Sequence, residues 1–140
     1  MSRIKTNQSG FSTVELLVTI VTIGIIFGAF ITTFTTIQNI NKKSLDIQKS
    51  NTLAFEKLQG YENQQFENLP SSSSPETWEE IEDFSDEIPN TVQQPRIGKA
   101  YINSNSPTLK QVGIQIEFGD GGSKQTITYV SYIQANGVGR

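Results

Sequence analysis

Hydrophobic and polar positions divide the chain into an apolar N-terminal stretch, an amphipathic continuation and an alternating C-terminal part. From Leu16 to Phe34 the only polar side chains are four threonines, whose hydroxyls can bond back to carbonyls of their own helix. At about 1.5 Å of rise per residue, a helix from Val14 to Phe34 reaches about 30 Å, the thickness of a bilayer's hydrocarbon core. The pattern therefore predicts a helix that can span a membrane.

Beyond the apolar stretch, apolar residues recur at spacings of three, four and seven, with lysines and glutamates between them, which is typical of an amphipathic helix. These residues are Ile37, Ile40, Ile47, Ala54, Phe55, Leu58 and Tyr61. No glycine or proline separates the two stretches, and Gly60 is a suitable terminator. We therefore predict one continuous helix from near Ser12 to about Gly60.

The C-terminal part alternates apolar and polar residues on either side of a glycine-rich turn, Gly119-Asp120-Gly121-Gly122, which predicts a β-hairpin. An earlier strand over residues 98–103 would make a three-stranded antiparallel sheet, whose apolar face can cover the apolar stripe of the helix. The predicted fold class is therefore α+β. In that fold, Trp78 and the tyrosines are core or sheet-surface aromatics rather than part of a ligand site.

Between the helix and the sheet, the segment Pro70-Ser-Ser-Ser-Ser-Pro75 reads as a surface loop. Ser74, Pro75 and Glu76 then combine a capping serine, a proline in the first turn and an acid at the positive end of a helix dipole. This arrangement predicts a short helix from Pro75 to about Glu87, with Trp78, Ile81, Phe84 or Ser85, and Ile88 on one face.

The start of the chain carries a motif: Arg3 and Lys5 in a short hydrophilic leader, then Gly10, Phe11 and, four residues later, Glu15 inside the apolar helix. Because the small residue precedes the apolar stretch, a cut at that point leaves the helix attached, unlike cleavage of a secretory signal. The segment from Gly10 to Ile20 resembles the processing motif of type IV prepilins and pseudopilins. The resemblance covers about the first quarter of the chain.

The resemblance implies a type IV pilin-like fold and a set of boundaries. A membrane-embedded prepilin peptidase would cut between Gly10 and Phe11 and methylate the new amino terminus. Residues 1–10 would then be the leader, residues 11–36 the membrane-spanning and filament-core half of the helix, and residues 37–140 an extracytoplasmic domain. The basic leader fits a cytoplasmic N-terminus under the positive-inside rule.

Glu15 allows two interpretations. A carboxylate one turn inside a membrane can reach back to the head groups, or it can have a functional partner, since buried charges in bilayers are costly and usually paired. The resemblance supplies the partner, because in that family the glutamate pairs with the α-amino group that cleavage exposes, here that of Phe11, as subunits enter the filament. Glu15 is thus the predicted assembly residue.

Gly24 and Gly28 stand four apart in the apolar stretch, and this spacing allows two helices to approach closely. They are either a helix-packing site in a filament core or ordinary membrane-helix glycines. Residues 31–37 are rich in β-branched side chains, which favour a looser helix outside lipid. Family members often carry a proline in this helix, and this sequence has none there.

Composition narrows the function classes. With no histidine and no cysteine, the chain offers no common catalytic pair, and we expect neither an enzyme nor a cofactor. The acids between residues 76 and 87 form either a solvated helix face or a calcium site, and without an oxygen-ligand loop the sequence favours no metal. The formal net charge of −3, more negative without Arg3 and Lys5, disfavours nucleic-acid binding except indirectly, through DNA uptake.

The leading hypothesis is therefore a structural subunit, a pilin or minor pilin, of a type IV pilus that starts in the cytoplasmic membrane and ends at the cell surface. Its implied partners are sibling pilin subunits, the prepilin peptidase, and an assembly platform with its ATPase. One alternative is a pseudopilin of a type II secretion or DNA-uptake machine. Another is a signal-anchored surface domain that binds an outside partner and never polymerises.

Overall fold

The computed structural model describes residues 10–75 and 77–135, so most of the predicted leader, including Arg3 and Lys5, and Glu76 of the predicted helix start lie outside the described residues. The elements are one long helix, α1 (Thr13–Glu62), and four strands: β1 (Glu79–Asp83), β2 (Arg96–Ser106), β3 (Leu109–Phe118) and β4 (Gln125–Gln134). The chain divides into two compact units between Lys42 and Lys43.

The single long helix is confirmed, and it ends two residues beyond the predicted Gly60. Ser12 caps its start, because the Val14 amide donates to the Ser12 Oγ at 3.3 Å and the Leu16 amide donates to the Ser12 carbonyl at 3.0 Å. Residues 31–37 are helical throughout. The looser helix expected for this segment outside lipid stays a prediction.

In the second unit, the buried face of α1 consists of Asp46, Ser50, Ala54, Leu58 and Tyr61. The predicted stripe is therefore right for its last turns but wrong at Phe55, which is 51% exposed. Successive helical residues are about 100° apart, so Phe55 cannot share the face of Ala54. Ile37 and Ile40 of the first unit are also exposed rather than buried.

The sheet has four antiparallel strands in the order β1-β2-β3-β4, one more than predicted. The α+β class and the hairpin are confirmed. Val112, Ile114, Ile116 and Phe118 of β3 are buried in the same core as the α1 residues Ala54, Leu58 and Tyr61. The turn after β3 uses glycine where the backbone requires it, since Gly119 and Gly121 have φ angles of 78° and 48°. Trp78 packs over Gly113, so it is a sheet-surface aromatic as predicted.

The predicted helix from Pro75 to Glu87 is wrong. Residues 79–83 form edge strand β1 instead, and a 3₁₀ turn (Ser85–Glu87) follows it. Pairing with β2 satisfies the backbone groups of β1 that point toward the sheet. Phe84 and Ile88, on either side of the turn, are buried in the core. A vacant sheet edge thus overrode the local helix-start signal, as tertiary context commonly does.

A buried lysine fixes the segment that follows α1. Lys110, at the start of β3, is only 6% exposed. Its ammonium donates to the carbonyls of Phe66 at 3.0 Å and Leu69 at 2.6 Å, and it lies 4.5 Å from the centroid of the Phe66 ring. Burial lowers the pKa of Lys110. The two carbonyls supply the polar partners that a buried ammonium needs.

Gly98 of β2 leaves room for the core aromatic Phe84. A Cβ at residue 98 would lie 2.6 Å from the Phe84 Cε2, so we expect Gly98→Ala to lower the free energy of unfolding by about 1–3 kcal/mol. Unfolding of the full chain in detergent can be followed by the fluorescence of Trp78, the sole tryptophan. Gly60→Ala is the control, because nothing lies within 4 Å of its added Cβ and the helix should gain about 0.5–1 kcal/mol. Equal stability of Gly98→Ala and the wild type would contradict this packing.

Candidate functional site

The predicted cleavage site lies just outside the helix. Gly10, Phe11 and Ser12 precede the first helical residue, Thr13. Gly10 is exposed with nothing within 4 Å of an added Cβ, and Phe11 is 71% exposed. A peptidase can therefore reach the Gly10–Phe11 bond without unwinding a helix.

The predicted assembly residue, Glu15, lies in the first turn of α1. An acid at this end of a helix is favoured by the partial positive charge of the unpaired amides. Its side chain is exposed, and none of the ion pairs among residues 10–75 and 77–135 involves it. The Glu15 carboxylate thus lies at the N-terminal end of an apolar helix and is accessible to a cation from another molecule.

The helix beyond Glu15 presents an apolar surface on all sides. From Leu16 to Asn41 there is no charged residue, and every side chain is exposed. The threonines bond back to backbone carbonyls: Thr19 to Glu15, Thr22 to Val18, Thr32 to Gly28 and Thr33 to Ala29, at 2.7–2.9 Å. Their hydroxyls therefore need no water, and within the described part of the chain α1 is the one helix long and apolar enough to cross a membrane.

Gly24 and Gly28 lie one turn apart on this apolar surface. No atom lies within 4 Å of a Cβ added at either position. The two residues thus form a shallow depression open to a neighbouring helix, as the packing hypothesis requires. The packing role of Gly24 and Gly28 stays a prediction.

A polar cluster that the sequence did not predict ties α1 to β1 and the 3₁₀ turn. The Lys57 ammonium lies 2.6 Å from carboxylate oxygens of both Glu82 and Glu87, and the Tyr61 hydroxyl donates to Glu82. The same ammonium lies 5.1 Å from the centroid of the Phe84 ring. The only sequence signal for this cluster is a lysine on the helix and a concentration of acids about 25 residues later.

These contacts shift the pKa values of the cluster. The hydrogen bonds from Lys57 and Tyr61 hold the pKa of Glu82 below its ordinary value. Burial and the neighbouring Glu82 carboxylate raise the pKa of Tyr61. The hydrogen bonds to Glu82 and Glu87 outweigh burial and raise the pKa of Lys57. The cluster joins α1 to β1 and the 3₁₀ turn through these contacts, so we interpret it as a structural tie.

The lowered pKa of Glu82 predicts a pH-dependent stability. Its ionised form stabilises the fold above the ordinary carboxyl pKa of 4.5, and this contribution is lost as the pH falls through the lower folded-state value. Glu82→Gln should therefore be less stable than the wild type at pH 7, and the difference should shrink below pH 4.5. Denaturant unfolding at several pH values measures this difference in the free energy of unfolding, and Glu67→Gln, at an exposed glutamate, is the control. A difference that is independent of pH would contradict the tie.

The remaining acids do not converge on one point. Glu80 pairs with Lys99 at 2.7 Å, and Asp83 accepts hydrogen bonds from the amide and hydroxyl of Ser85. Within residues 10–75 and 77–135, no group of three or more acids, histidines or cysteines is placed to hold a metal ion. The solvated helix face predicted for this segment is replaced by an edge strand with local partners.

The structure thus places Gly10, Phe11 and Glu15 together at the start of α1, with Gly24 and Gly28 further along the same apolar helix. The acidic segment belongs to the second unit. Comparison of the chain with protein-family models, with curated proteins and with solved structures gave no match.

Proposed function

We propose that this chain is a pilin or minor pilin, a structural subunit of a type IV pilus-like filament. The observation that carries the proposal is the combination at the start of α1. An accessible Gly10–Phe11 bond is followed by Glu15, in the first turn of α1, and then by 26 residues without a charge (16–41). The same helix continues into a small α+β domain, where its last turns enter the core. This layout supports a type IV pilin-like fold.

The physical basis of assembly is an exchange of neighbours. Leaving lipid costs the apolar helix little if sibling helices replace the acyl chains around it. Gly24 and Gly28 let those helices approach closely. The α-amino group freed at Phe11 and the carboxylate of Glu15 have opposite charges, and pairing them between copies avoids a lone charge in apolar surroundings.

The processing step is tested by co-expressing the full chain with a prepilin peptidase. Intact-mass and N-terminal mass spectrometry should show loss of residues 1–10 and an N-methylated Phe11. Gly10→Leu should remain uncut, whereas Gly24→Leu, the matched control inside the helix, should be cut like the wild type. A chain that keeps its leader in the presence of an active peptidase would refute the proposal and favour a signal-anchored monomer.

A further inference from the structure

The two edges of the sheet differ in their protection. An edge strand presents unpaired backbone groups that can pair with another chain, and proteins usually block such edges with charge, shortness or a bulge. β1 has all three devices: it spans five residues, four of them acids, and its register with β2 shifts between Glu80 and Glu82. This edge is closed to strand addition.

The opposite edge, β4, has none of these devices. Its ten residues, Gln-Thr-Ile-Thr-Tyr-Val-Ser-Tyr-Ile-Gln, include no charge and no proline, and most are β-branched or aromatic. Its register with β3 runs without a shift from Gln125 to Gln134. Across the described ranges, β3 is the one strand that pairs with it. β4 is therefore a long, neutral edge open to a further strand.

The register identifies the backbone groups that point outward. The Ala135 amide donates to the Thr108 carbonyl at 3.0 Å, in line with the β3–β4 register. Hydrogen-bonded pairs alternate along an antiparallel ladder, so odd-numbered residues of β4 bond to β3. The outward-pointing amides and carbonyls therefore belong to Thr126, Thr128, Val130, Tyr132 and Gln134.

We propose that β4 pairs antiparallel with β4 of a second copy, about a two-fold axis at Val130. This register places Val130 opposite Val130 and Thr128 opposite Tyr132 of the second copy, so outward-pointing amides and carbonyls face each other. On the α1 side of the sheet it places Ile127 opposite Ile133 of the second copy. Because β4 is uncharged, the contact avoids the like-charge repulsion that the acidic β1 edge would create. The product is a continuous eight-stranded sheet.

The pairing of β4 with β4 does not depend on the proposed function. What the pairing would do in a filament does rest on the proposed function. Head-to-tail contacts that build an open helical filament contain no two-fold axis between subunits, whereas the β4 contact is two-fold. It therefore joins subunits of different filaments and would fasten filaments side by side.

Cysteine cross-linking tests the predicted register, because the natural chain has no cysteine. In the full chain in detergent, Val130→Cys places two Cα atoms about 5.5 Å apart, within disulfide range, and oxidation should give mostly covalent dimer. Thr126→Cys lies on the same strand, but its counterpart is about 27 Å away, so it should stay monomeric. Equal cross-linking of the two variants, or none in either, overturns the pairing.

A charge substitution tests the contact in the cysteine-free chain. Val130→Lys puts two ammonium groups face to face at the axis, so the detergent-corrected mass in sedimentation should fall from two chains to one. Gln115→Lys, on the same outer face of the sheet but on inner strand β3, should remain dimeric. Dimers that persist in Val130→Lys indicate association through the apolar helix and overturn the proposal, as does a monomeric wild type. Neither readout depends on cleavage at Gly10.

Discussion

Replacing Glu15 by alanine or lysine is expected to leave the cut after Gly10 intact and to abolish efficient filament assembly. In the proposed function the peptidase acts on the exposed Gly10–Phe11 bond ahead of the helix, and neither substitution alters that bond. Without the carboxylate, the amino group of each incoming Phe11 has no partner, and a lone charge in apolar surroundings is strongly unfavourable. Lysine adds a second cation and should be the more severe change.

The measurement is the amount of this protein in sheared surface fibres, with N-terminal mass spectrometry of the membrane fraction in parallel. Glu56→Ala removes an exposed glutamate from the second unit and is the control that should assemble normally. Wild-type amounts of fibre from either Glu15 variant would refute its assembly role. If the Glu15 variants are not cleaved after Gly10, Glu15 is needed for processing rather than for assembly.

Replacing Lys110 by methionine is expected to lower the free energy of unfolding of the second unit by about 3 kcal/mol. Methionine keeps most of the buried apolar stem, but the carbonyls of Phe66 and Leu69 lose their donor, and at least the Leu69 bond is fully buried. An unpaired buried carbonyl carries the desolvation cost of burial without a compensating bond.

Denaturant unfolding followed by Trp78 fluorescence measures the effect in the full chain. Lys99→Met is the matched control: Lys99 forms a surface ion pair with Glu80, and such pairs contribute little. We expect its midpoint to stay close to that of the wild type. Unchanged stability of Lys110→Met would show that water replaces the ammonium at no cost, and the described role would be wrong.

The sequence was sufficient for the parts of the fold that depend on local periodicity. α1 and the β3–β4 hairpin each carry a regular apolar pattern over ten residues or more, and both were predicted nearly to their ends. β1 was missed because Ser74 and Pro75 give a local helix-start signal, whereas the strand depends on a partner, β2, about 20 residues away. Local patterns contain no information about which sheet edge is vacant.

The candidate site also has parts that the sequence predicts and parts that it does not predict. The short motif of Gly10, Phe11 and Glu15 is visible in the sequence, and the structure adds its position relative to the start of the helix. The ties made by Lys57 and Lys110 were not predictable, because their partners are 25 to 44 residues away and no spacing rule links them. The partner of Glu15 is absent from any single chain, since the proposal places it on another subunit.

The most direct test of the central claim is N-terminal mass spectrometry of this protein recovered from sheared cell-surface fibres. We predict that the chain recovered from the fibres begins with N-methylated Phe11, because in the proposed function the helix exchanges lipid for sibling helices after the leader is removed. Recovery of the protein only from the membrane, as single copies that still carry Met1 to Gly10, would contradict the account.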